Sequence, residues 1–242
     1  MKILFTLVLA ISQWAMADES IQNLHITGEA FDPNNQTLLY REQHRIDGKQ
    51  HTVSYSDENG NIFAEKKLSY EISFLTPIYQ LHDQRFSRET GSEWKDHQWF
   101  VYRHEKSGTH SELLLNKLDN LVIDAGFNNF IRLHFGELES GKLLHFNFAL
   151  TDPLTNLPMR IQSIDCRKYD PEQDAANHLC LRAITSNVLY RWFVPAIYVV
   201  YQRDTHLLMR YEGPSNLPNN NDAGQKVKIN YTYHLTTAGL KP

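Results

Sequence analysis

The sequence predicts a mainly β protein with one prominent helix: a single strongly curved antiparallel sheet, a half-barrel or open barrel, with the helix packed on its concave face. Three observations carry that expectation. Apolar and polar residues alternate with a period of two through run after run, and turn-forming pairs separate the runs. One run is about twice the five or six residues of an ordinary strand, which demands twist and curvature. A lone aromatic stripe with helical spacing interrupts the series.

The alternation starts after Thr37, with Leu38, Tyr40, Glu42, His44 and Ile46 on one face and Leu39, Arg41, Gln43 and Arg45 on the other. Asp47-Gly48 reads as a turn, His51, Val53 and Tyr55 as the return strand, and Asp57 to Gly60 as a second turn. The long run follows: Ile62, Ala64, Lys66, Leu68, Tyr70, Ile72 and Phe74 keep the period up to Thr76-Pro77. Further strands are expected over 80–88, 98–105, 111–115, 143–150, 159–167, 181–185, 196–203, 207–212 and 226–234. Ser107-Gly108, Asp152-Pro153 and Gly213-Pro214 supply turns, and Asn219-Asn220-Asn221 reads as a loop tip.

The helix is expected from Asp124 to Ser140. Phe127, Phe130, Ile131, His134, Phe135 and Leu138 recur at helical spacing, Asp124 stands where an N-cap belongs, and Gly141 where a C-terminal glycine belongs. A weaker helical stretch is expected within 170–177 or near Asn187 to Trp192.

Residues 1–17 have the layout of a cleavable secretory signal, making 18–242 a single β-rich periplasmic domain. Lys2 precedes an apolar run from Ile3 to Ile11, too short to span a bilayer, and Ala15-Met16-Ala17 offers a small-x-small cleavage site. One of the 24 basic side chains and none of the 28 acidic ones leaves with it, so the formal charge moves from -4 to -5. That balance argues against nucleic acid or an anionic membrane as the main partner. The longest later apolar stretch, Phe193 to Tyr201, is far below spanning length. In an oxidising compartment the pair Cys166 and Cys180 is expected to be a disulfide; a metal site with His178 is the alternative.

The chain lacks Gly-x-Ser-x-Gly, His-Glu-x-x-His, a P-loop and Gly-x-Gly-x-x-Gly, so no catalytic residue and no cofactor is singled out. His44 and His51 flank a turn and His97, His104 and His110 lie along a second hairpin; such cross-strand pairs bind zinc or copper, although scattered surface histidines give the same pattern. Glu65, Glu71, Glu89 and Glu93 alternate with Lys66, Lys67, Arg85 and Arg88, the pattern of a solvated face with cross-strand ion pairs.

Aromatic residues are the richer signal. Phe127, Phe130, Ile131, Phe135 and Leu138 on the helix, with Phe146 and Phe148 just after it, form either core or the lining of an apolar ligand pocket, for which Arg132 and Arg160 are candidate headgroup anchors. Three functions stay open: a binding protein for a lipid, lipoprotein or other apolar ligand; an envelope interaction or structural protein without a ligand; and a hydrolase with dispersed catalytic residues.

Asp124 to Arg132, the hairpins from Tyr40 to Tyr55 and the closing Leu208 to Gly213 resemble an uncharacterised family of exported proteobacterial proteins, over most of the chain after the signal. That resemblance implies an exported β-rich domain and transfers no activity or site residue. The order of curved strands and helix is more distantly similar to periplasmic lipoprotein-carrier half-barrels, which implies an acyl chain cradled on a concave apolar face.

Overall fold

The computed structural model describes residues 24–116, 118–169, 175–192 and 194–235. The expected signal segment 1–17 lies outside them, as do Phe193 and most of the expected helical stretch 170–177.

The first half of the protein is a meander of eight strands: β1 (Leu24–Phe31), β2 (Leu38–Asp47), β3 (Gln50–Ser56), β4 (Ile62–Ser69), β5 (Ile78–Asp83), β6 (Arg88–Lys95), β7 (Gln98–His104) and β8 (His110–Leu115). Each is antiparallel to the next. The second half opens with β9 (Leu121–Ile123), α1 (Gly126–Leu133), α2 (Phe135–Glu139) and β10 (Leu144–Thr151). It continues with β11 (Leu154–Ile164), a short helix α3 (Cys166–Tyr169), β12 (His178–Thr185), a 3-10 turn at Leu189–Trp192, β13 (Ile197–Gln202), β14 (Leu208–Pro214) and β15 (Lys226–Leu235).

All fifteen strands belong to one sheet in the order β8 to β1, then β15 down to β9. The antiparallel expectation fails at one pair. β9 and β10 are parallel, because the helices between them carry the chain back to the end from which β9 started. The edge strands β8 and β9 are not paired with one another, so the sheet is curled but does not close into a barrel.

Residues directly opposite in an antiparallel ladder share a face, so the register follows one face across the molecule. Val101, Ser92, Tyr79 and Leu68 carry it to Val53 and Tyr40, then through Ala30, Ile229, Tyr211, Val199 and Leu181 to the second half. The same face of β10 and β11 bears Leu144, Phe146, Met159 and Ile161. Two core clusters lie along it. One joins strands β10–β13 to α1 and α2; the other joins β1–β5, β7, β8 and β15 to Ile123, Ala149 and Leu217. Ala149 and Ile123 point the opposite way from Phe148 and Val122 on their own strands, so β9 and the end of β10 are buried on both sides. The edge of the sheet is therefore tucked inside the curl of the other half, where Tyr79 donates to Thr151 Oγ1 at 3.0 Å.

The strand expected to run from Ile62 to Phe74 stops at Ser69. Tyr70 N donates to Lys49 O at the end of the β3–β4 hairpin, after which the chain leaves the sheet and docks on the helix. Leu75 O accepts from Ile123 N at 3.0 Å, and Phe74 O from Asn129 Nδ2 at 2.8 Å. The alternation of Ile72 and Phe74 has no ladder behind it, and both are exposed. Curvature comes from the fifteen-strand roll and not from one long strand.

The expected single helix is two. At His134 φ is -107° and ψ 21°, which breaks the helical repeat, and Phe135 opens a new one. Asp124 is not its N-cap: that position is Ala125, with no side-chain cap. The C-terminal expectation holds. Gly141 at φ +87° lets its own N–H reach Leu138 O and that of Lys142 reach Glu137 O, the paired bonds of a Schellman end.

Cys166 and Cys180 form the expected disulfide, with Cα atoms 5.2 Å apart. It joins α3 to β12 and packs with Val200 on the opposite face of the sheet from the helices.

Candidate functional site

The aromatic residues proposed from sequence meet in one place. The rings of Phe127 and Phe130 lie tilted at 5.5 and 5.1 Å from that of Phe146, and Phe127 lies 5.7 Å from Phe148. Ile131, Phe135 and Leu138 complete the buried stripe against Met159, Ile161, Leu181 and Tyr201. Tyr201 donates to Asn128 Oδ1 at 2.7 Å, fixing α1 to β13, and Phe135 stacks on His206 at 3.7 Å. Arg132 is on the exposed side of α1 and Arg160 is half-buried on β11.

The same face carries an ionisable row in the first half. Glu42 Oε2 lies 3.0 Å from His44 Nε2, and His44 Nδ1 lies 3.0 Å from His51 Nε2. Beyond them Lys66 Nζ reaches both oxygens of Asp124, at 2.9 and 3.2 Å. Lys66, expected on a solvated face, points inward because it shares β4 with Ala64 and Leu68 at a spacing of two. Arg88, expected beside it, is also buried, with Asp222 bridging its guanidinium by two bonds of 2.7 Å.

Burial dominates the electrostatics. It pushes the His51 imidazolium down to about 3, helped by His44 and Lys66, so His51 is neutral. Burial also lifts the phenols of Tyr40, Tyr55 and Tyr231, with Glu42 adding to each. Gly28 sits where a Cβ would come 3.0 Å from Glu42 Oε2 and 3.0 Å from the Tyr231 ring, so a larger residue would crowd this row. Both ring nitrogens of His44 are occupied, by Glu42 and His51, so the row links a carboxylate and two imidazoles in series.

Sequence reading missed Asp124, Leu217 and the 218–224 loop. Asp124 resembles a helix cap because the next residues are helical, yet its φ of +45° turns it out of the helix and toward Lys66. The 218–224 stretch looks like a free tip, but Leu217 is fully buried and Arg85 donates to Pro218 O and Asn220 Oδ1. A cleft of about 300 Å³ opens on the outer face, lined by Ile62, Glu65, Lys67, Gln80, His82, Gln84 and Glu89. The aromatic stripe lies on the other face, away from this cleft.

No family model matches the chain, and no curated relative matches it. Among solved structures it is similar to the crystal structure of a β-barrel-like protein of domain of unknown function DUF1849 from Brucella abortus, at a TM-score of 0.50 and 9% identity over 89% of this chain and 99% of that one. At that identity the likeness is one of fold, and it places the curled fifteen-strand sheet among β-barrel-like proteins.

Proposed function

We propose that the protein is a periplasmic binding protein for a lipid, a lipoprotein or another apolar ligand, carried on the concave side of the curled sheet beside α1 and α2. In this reading the mature chain begins at Asp18. Arg132, exposed on α1, is the anchor offered to an anionic headgroup.

One observation carries the reading: the sheet is rolled but not zipped. The β1–β15 ladder joins its two halves in the middle of the sheet, but at the free edges they meet mostly through side chains, Lys66 with Asp124, Tyr79 with Thr151 and Arg103 with Asp152 at 2.6 Å, and not through a ladder between β8 and β9. Side-chain contacts part at lower cost than a strand ladder, and the chain beside this seam is apolar and bare. Ile72 is 50% exposed, Phe74 63%, and Leu133 one turn beyond Asn129 on α1 69%. Large apolar side chains held in water next to an aromatic core suit the approach of an apolar ligand.

The test is native mass spectrometry of protein taken from periplasm, with lipid extraction, alongside titration with a fluorescent fatty-acyl probe. Wild type binds the probe, and Phe74→Asp with Leu133→Asp weakens binding while circular dichroism is unchanged. A folded wild type that binds no probe and carries no lipid removes the reading. It leaves an envelope interaction protein without a ligand, a role favoured by the complete burial of Ile131 and Leu138 among the protein's own side chains. The hydrolase reading gains no residue from the Glu42-His44-His51 row.

A further inference from the structure

The outer face of the first half carries an unusual line of residues. Strand register places Glu65 opposite His82, His82 opposite Glu89, Glu89 opposite His104 and His104 opposite His110, so five carboxylates and imidazoles run in one row across β4 to β8. Its far end is the tightest: Nε2 of His104 and Nδ1 of His110 are 3.0 Å apart, with ring centroids 4.3 Å apart. The other nitrogen of His110 lies 3.3 Å from Glu112 Oε2, and Lys95 holds that same oxygen at 3.0 Å.

We propose that His104 and His110 are a binding site for a divalent transition-metal ion of the Cu(II) type, with Glu112 orienting His110. A carboxylate on the far nitrogen of a ligating imidazole is the usual outer support of a metal site, fixing the tautomer and raising the basicity of the ligand. Two nitrogens 3.0 Å apart, each at a bond length of about 2.0–2.1 Å, subtend about 95° at the metal. That is close to the right angle of tetragonal Cu(II) and narrower than a tetrahedral zinc site prefers. Both imidazoles are exposed, so water fills the remaining positions; among the described residues no three such side chains already converge on one point. Glu89, across from His104, adds negative potential to the row, while its oxygens accept from Tyr102 and Gln80.

The protein contains its own control. His44 and His51 repeat the pattern, Nδ1 to Nε2 at 3.0 Å with Glu42 behind, but they are largely buried and Lys66 lies close enough to His51 to oppose a second cation.

The experiment is titration of the full exported chain, disulfide intact, with Cu(II) chloride alone, read by calorimetry and by electron paramagnetic resonance. One equivalent binds with the splitting of two imidazole nitrogens. His104→Ala and His110→Ala each abolish that splitting, Glu112→Gln weakens affinity by about 10–100-fold, and His44→Gln leaves both readouts in place. Circular dichroism of the variants stays native because all three side chains of the site are exposed. The proposal is overturned if wild type binds no Cu(II), if binding and splitting survive the double His104→Ala and His110→Ala variant, or if His44→Gln removes them.

Discussion

Lys66 and Asp124, fifty-eight residues apart, form an ion pair whose side chains are only 8% and 9% exposed, and it ties the first half of the sheet to the root of α1. Removing one partner leaves the other charged and buried. Lys66→Met is expected to cost about 3–5 kcal/mol, and Lys66→Met combined with Asp124→Leu to recover most of it. Urea unfolding of both variants checks this. Burial alone would lower the Lys66 ammonium, but the charge and hydrogen bonds of Asp124 outweigh it and hold it above the ordinary lysine value. The pair's contribution from Lys66 is thus complete at neutral pH and fades only as pH rises beyond the ordinary lysine range.

His51 sets the acid limb of stability. It is neutral when folded down to about pH 3 but takes a proton near 6.5 when unfolded, so the unfolded state binds more protons between those values. Stability is expected to fall with pH across that window by up to about 1.4 kcal/mol per pH unit from this group. His51→Gln flattens the slope between pH 6 and 4, as measured by urea unfolding at a series of pH values. An unchanged slope would show that His51 charges without cost in the fold.

Two helical glycines should behave in opposite ways. A Cβ on Gly126 would lie 1.9 Å from Leu75 O, backbone that cannot step aside while it is bonded to Ile123. Gly126→Ala is expected to destabilise by about 1–3 kcal/mol, the scale of an overpacked core. Gly136 in α2 has open space around its Cβ position, and Gly136→Ala should gain up to about 1 kcal/mol of helix propensity. Paired thermal melts decide.

The disulfide closes a loop with a sequence separation of 14. Reduction, or Cys166→Ser with Cys180→Ser, is expected to cost about 3 kcal/mol by the loop-entropy argument. Hydrogen exchange should rise first at α3 and the start of β12 while the helix cluster on the opposite face stays protected.

The strands that alternate cleanly in sequence, β2, β3, β7 and β10, are where they were expected, because one face of each meets the core, while the other meets water or, at the end of β10, a second buried surface. β6 reads Arg-Glu-Thr-Gly-Ser-Glu-Trp-Lys and gives no such signal: its inward side chains are Arg88, Thr90 and Ser92, of which Arg88 is paired with Asp222 and Ser92 donates to Pro77 O. β9 is three residues long and depends on β10 for its partner. The aromatic stripe of the candidate site was legible through its helical spacing. Its break at His134 was not, since apolar spacing continues across the join. The Glu42, His44 and Lys66 row was half visible, as polar residues on otherwise apolar faces, but the partner that makes Lys66 tolerable comes from a distant junction that no local pattern indicates.

The ladder from Leu24↔Leu235 to Phe31↔Lys228 makes the first and last described strands neighbours in the middle of the sheet. Synthesis delivers β1 well before β15. Each meander can assemble from local hairpins as it emerges, but the junction between them must wait for the final strand, and closing so long a loop is slow. Throughout that interval β1 presents a bare edge at what will become the centre of the sheet. The newborn chain is then open to a holding chaperone or to the β15 of a second copy, a vulnerability of timing that disappears once the ladder closes.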